Sequence, residues 1–182
     1  MTYYGSKELA DAFRTVRNNT IQIAEEIPEA QYGFRAAPAC RSVAETLVHI
    51  AVGTRVSEQV HLAERLHTLV GFDFFALMST LAAEEQTPRS KAQIVDLLRT
   101  EGEKFAQALG GVSEAFLAER VEFPAGVTPP SKSRFEMLLG VKEHEMHHRG
   151  QLMVVERMLG ITPHLTRRMQ EHTAAMRAAA GN

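Results

Sequence analysis

Cysteine is nearly missing from this 182-residue sequence. Cys40 is the only one, which excludes an intrachain disulfide and is compatible with a reducing compartment. An excess of one charge is missing too. Twenty lysines and arginines stand against 22 aspartates and glutamates, a formal net charge of -2, so the chain carries no electrostatic footprint for nucleic acid or an anionic membrane. Long apolar runs are also missing. The longest, Leu69 to Ala83, is broken by Gly71, Asp73, Ser79 and Thr80 and is too short to span a bilayer. Met1 to Glu8 has no positive segment leading into an apolar run, which reads against a secretory signal. The expectation is one cytoplasmic domain, long enough to bury a substantial core, with an ordinary 45% of hydrophobic and 23% of charged residues.

What is present is helical periodicity. From about Lys7 to Ile27, the residues Leu9, Phe13, Val16, Thr20, Ile23 and Ile27 alternate four and three apart, the seam of a packed helix that Pro28 stops. Glu29 to Arg41 reads as an ordered loop over one end of a bundle. Ser42-Val43-Ala44-Glu45 matches a capping box and opens a helix whose character could persist to Val70, with Gly53 and Thr54 as places where it would bend. Gly71 to Glu85 reads as a connecting loop with a short apolar helix. Ser90-Lys91-Ala92-Gln93 starts the next helix, Gly110-Gly111 ends it, and Gly102 inside it would make room for a site or a neighbouring helix. Val112 to Lys132 reads as linker with a short turn at Glu114 to Ala118. A long helix then runs from about Ser133 to Leu159, and a polar one from Pro163 to Ala179 would lie outside the bundle or against a partner chain. No convincing strand is visible. The predicted fold class is all-α, a four-helix bundle with additional short helices and a C-terminal extension.

The chemistry concentrates at Glu143 to Gln151, which holds three of the eight histidines. His144 and His148 are four apart, one turn above each other on one helix face, and His148 falls on the apolar stripe of Leu138, Val141, Leu152, Val155 and Leu159. Buried imidazoles need partners, and two converging on one face could share a metal ion. Two ligands are too few for zinc or its neighbours. His49, mid-helix near the apolar stripe of the capped helix, is the best third. His61, His67, His164 and His172 read as surface residues. His144-Glu145-Met146-His147-His148 also satisfies the H-E-x-x-H pattern of zinc peptidases. However, Gln151 and Val154 replace the glycine and histidine of the metzincin extension, the downstream acid Glu171 lies in a polar tail, and no strand is visible to hold a peptide. Peptidase is the remote alternative.

These stretches together resemble the DinB family of metal-binding four-helix bundles. Arg41-Ser-Val-Ala-Glu-Thr-Leu-Val-His49 is similar to the family's second-helix signature, and His144-Glu-Met-His-His148-Arg-Gly-Gln151 to its fourth-helix signature. Phe34-Arg-Ala-Ala-Pro and Leu159-Gly-Ile-Thr-Pro add to the likeness, which covers about residues 5 to 165. The resemblance implies a site of His49, His144 and His148 with open positions, one divalent ion (zinc or nickel first, iron or manganese next), and a homodimer. It also implies thiol chemistry of the kind run by bacillithiol- and mycothiol-dependent transferases in stress or detoxification, acting on a small-molecule substrate. A metal-dependent thiol S-transferase or hydrolase is the leading expectation, and a metal-containing binding module without turnover its rival. Glu45 and Glu145 are the candidate catalytic carboxylates, with a helix cap and a surface carboxylate as their plainer readings. His147 is expected beside the ligands or at the surface.

Overall fold

The computed structural model describes residues 4–180. Helix α1 (Ser6–Glu26) begins where the Glu8 carboxylate accepts from the Gly5 amide at 3.0 Å, and it buries Leu9, Phe13, Val16, Thr20 and Ile23 as their spacing requires. Helix α2 (Val43–Ser57) opens on the capping box: Glu45 Oε2 accepts from the Ser42 amide at 2.7 Å while Ser42 Oγ accepts from the Glu45 amide at 3.2 Å. Gly53 does not break it. The helix instead widens into a π turn over Glu58–Ala63 and stops short of Val70, with Arg65 at φ 51°.

The presumed loop after it contains a full helix, α3 (Phe74–Gln86), capped by Asp73. Helix α4 (Lys91–Gly110) and the short α5 (Glu114–Ala118) follow. Two three-residue strands, β1 (Arg120–Glu122) and β2 (Ser131–Ser133), pair antiparallel with Val121 opposite Lys132. The sequence reading missed them, because three residues are too few to show an alternating period. Helix α6 (Arg134–Met158) and helix α7 (His164–Ala180) complete the chain.

The bundle consists of α1, α2, α4 and α6. Both α1 and α2 pack against α4 and α6, so the two helices first in sequence stand diagonally across it, while α3 covers α2. The core divides into two apolar clusters. Ile23, Leu47, Leu98 and Leu152 belong to one, and Phe13, Phe105, Leu109 and Leu138 to the other. Between them in sequence, Arg17 of α1, Gly102 of α4 and Glu145 of α6 form a polar layer. Arg17 Nε donates to Glu145 Oε1 at 3.0 Å, Nη1 to the Leu98 carbonyl at 2.8 Å and Nη2 to the Ile50 carbonyl at 3.1 Å. One guanidinium of α1 thus ties the other three helices. A Cβ on Gly102 would meet Arg17 Cγ at 2.7 Å, so this glycine makes room for an arginine.

Helix α7 lies outside the bundle on α1. Arg167 pairs with Glu26 at 2.6 Å, Arg168 bonds Gln22 at 3.0 Å, and His164 Nε2 meets Asn19 Oδ1 at 3.1 Å. No helix among the described residues is long and apolar enough to cross a membrane.

Candidate metal centre

His49 sits two turns into α2, and His144 and His148 sit midway along the neighbouring α6. The capping box fixes where α2 starts and hence which way His49 faces. The four-residue spacing does the same for the α6 pair. The three rings converge: His144 Nε2 lies 3.2 Å from His49 Nε2 and 3.1 Å from His148 Nε2, and one ligand nitrogen from each lies within 4.8 Å of the others. His49 and His148 are buried, and His144 is the one open to solvent. Gly53, a turn beyond His49, leaves the nearest His144 atom 4.0 Å from where a Cβ would stand.

Hydrogen bonds set the tautomers. His49 Nδ1 is 2.8 Å from Glu85 Oε1, an acceptor, so this nitrogen carries the proton and Nε2 presents a lone pair. His148 Nδ1 is 2.8 Å from Gln151 Oε1, whose amide nitrogen is turned to His147 Nε2 at 3.1 Å, and His148 Nε2 is left with a lone pair as well. His144 Nε2 can donate at most one proton to these two lone pairs. At least one lone pair therefore faces another nitrogen with no proton between them. A cation at the centre satisfies all three nitrogens, and the donor set fits one. Partial desolvation of its ring among the other two imidazoles, followed by the charges of His148 and His49, pushes His144 down to about 4, although the residue as a whole keeps solvent contact. Burial likewise lowers His148, against the opposing pull of Gln151. Both rings are thereby kept neutral near pH 7, the form in which imidazole binds a metal.

The two candidate carboxylates part ways: Glu45 keeps its plainer reading as helix cap, and Glu145 departs from its own. Glu145 is not at the surface. It is 2% exposed and held by Arg17. Glu45 caps α2 and accepts from Arg35 Nη2 at 2.6 Å, a bond that, with the Ser42 amide, holds its carboxyl down to about 2. Glu171 is exposed on α7.

Of the four histidines read as surface residues, His67 and His172 are exposed, whereas His61 and His164 are each 1% exposed. His61 Nδ1 accepts from Arg134 Nη1 at 3.1 Å in a second buried polar centre, where burial and that guanidinium push it down to about 4. Sequence reasoning missed Glu85 altogether. Its carboxylate bonds His49 and accepts from Arg41 Nε at 2.6 Å, forming an Arg41–Glu85–His49 chain. The sole signal available was a pair of acids, Glu84 and Glu85, closing the apolar stretch before Pro88. A pocket of about 820 Å³ opens beside this chain, lined by Arg41, Glu85, His148 and Gln151 among others.

A family model described as the DinB superfamily matches residues 12–152. Two solved structures from Bacillus subtilis share the fold. The DinB-like protein YjoA is 22% identical with a TM-score of 0.63, covering 85% of this chain and 93% of its own. YfiT, described as a probable metal-dependent hydrolase with an unusual four-helix bundle topology, is 13% identical with a TM-score of 0.67, covering 89% of this chain and 91% of its own. No curated protein matches significantly. With the family match taking in His49, His144 and His148, the chain belongs to the DinB superfamily.

Proposed function

We propose that this protein is a divalent-metal enzyme that activates a thiol or a water at His49, His144 and His148 and acts on a small molecule held in the adjacent pocket. One observation carries the reading. Two Nε2 lone pairs and a third imidazole nitrogen converge within 4.8 Å, oriented by Glu85 and Gln151 at the edge of an 820 Å³ pocket. YfiT's description as a probable metal-dependent hydrolase supports it by analogy of fold. A dication bound by three imidazoles with an open position would lower the pKa of a water or thiol there.

The chain's own residues supply orientation. Glu85 holds the Nδ1 proton of His49, and Gln151 that of His148, so each ring presents Nε2 to the centre. Arg41 holds Glu85 in turn. The neighbours of Glu45 and Glu145 support structural roles for both, a helix cap and a bundle ion pair. That leaves no H-E-x-x-H glutamate free beside the histidines to serve as a peptidase base.

The test begins with metal analysis of purified protein. About one zinc or nickel ion per chain is expected, with loss in His49→Ala and in His148→Ala; undiminished metal in both variants would overturn the site. Fully metallated protein is then assayed with low-molecular-weight thiols plus a generic electrophile, and separately with activated esters. Metal-dependent turnover in either panel supports the enzyme, and silence in both favours a binding module.

A further inference from the structure

The pocket beside the histidines has a mixed lining. Arg35, Arg41 and Gln86 contribute polar groups, and Pro38 and Val154 contribute exposed apolar surface. The two guanidiniums differ in what they have left to give. Arg35 is committed, with Nη1 on the Cys40 carbonyl and Nη2 on Glu45, both at 2.6 Å. Arg41 donates through Nε to Glu85 at 2.6 Å and only loosely through Nη2 at 3.4 Å. Its Nη1 meets no acceptor among the described residues, and its side chain is 44% exposed.

The carboxylates of the pocket are also committed: Glu45 to the α2 cap and Arg35, Glu85 to His49 and Arg41. With a dication held by neutral imidazoles, two guanidiniums against two carboxylates leave a net double positive charge facing the cavity. Such a site favours an anion, and a guanidinium with spare N–H groups favours a planar oxyanion that can accept more than one of them. The exposed Val154 on α6 and Pro38 on the facing loop offer apolar surface to whatever extends from that head.

We propose that this pocket selects a small carboxylate with an apolar tail, its head on Arg41 beside the metal and its tail along Val154 and Pro38. This rests on the metal reading above and names the substrate class for it.

The test is calorimetric titration of zinc-loaded protein with octanoate and with octanamide, its uncharged counterpart, with zinc content measured in parallel. Octanoate is expected to bind roughly tenfold or more tighter. Arg41→Gln should erase that preference by weakening octanoate alone, and Arg41→Lys should restore part of it. Equal affinity for the two probes, no octanoate binding by zinc-loaded protein, or an Arg41→Gln variant with unchanged octanoate affinity would overturn the proposal. Absence of bound zinc in the wild type overturns the metal reading instead. The Arg41 dependence of octanoate binding, measured on that same metal-free protein, then decides this one.

Discussion

At the scale of single residues, the site depends on what stands behind its ligands. Glu85 fixes the His49 tautomer through a 2.8 Å bond and is itself fixed by Arg41. Glu85→Gln keeps the shape but can turn its amide nitrogen toward the ring, which would favour the wrong tautomer. Partners of this kind are worth about 10–100-fold in metal affinity. Zinc affinity of Glu85→Gln, measured by chelator competition, should fall by about that factor, while its urea midpoint without metal stays near wild type. An unchanged zinc affinity would show that His49 is oriented by its helix alone. Glu85 also marks where sequence reading stopped. The three histidines were legible because a capping box and a four-residue spacing each fix a direction. The partner acid sits on α3, in a stretch whose apolar residues follow no clear stripe, and no local pattern ties it to His49, 36 positions away.

At the scale of elements, α1, α4 and α6 and the start of α2 were legible to within a residue or two, since caps and stops bound them. The end of α2 was not, and nor was the π turn that follows it. His61 was read as a surface residue because the helix could have ended before it, whereas the π turn carries it on and buries it. Helix α7 was read as polar, and the charge of its Arg167 reaches a buried acid. Glu156 of α6 is fully buried, and neither of its carboxylate oxygens has a hydrogen-bond partner among the described residues. Burial first, and the charge of Glu26 second, push its carboxyl up to about 7. Because this lies above the ordinary carboxylate value, the folded state holds an extra proton between about pH 4.5 and 7. The associated stability is complete below that window and is lost as pH rises through 7. Glu156→Gln removes the titration while keeping the shape. Its melting temperature should exceed that of wild type at pH 8, by the equivalent of a few kcal/mol at most, and the gap should close toward pH 5. A gap that does not vary with pH would mean that Glu156 titrates normally.

At the scale of the whole molecule, the polar layer of Arg17, Gly102 and Glu145 separates the two apolar clusters. Arg17 and Glu145 are each 3% exposed, so neither charge can be left alone cheaply. Arg17→Met strands the glutamate and should cost about 3–5 kcal/mol in urea unfolding. The double replacement Arg17→Met with Glu145→Leu should recover most of that loss. A double variant as unstable as the single would place the cost in lost shape rather than stranded charge.

The same guanidinium grips the chain one residue past His49, at the Ile50 carbonyl, and one residue past His144, at Glu145. It therefore ties α2 to α6 at the level of the imidazoles, through groups about 100° round each helix from the rings. Ion capture and the strength of the bundle's middle would then share a coupling free energy, and such coupling is reciprocal. Whatever loosens Arg17 should weaken zinc, and zinc should restore to a loosened bundle the same increment. The metal in this fold would act as the second of two clamps on one pair of helices, so that each reports on the other.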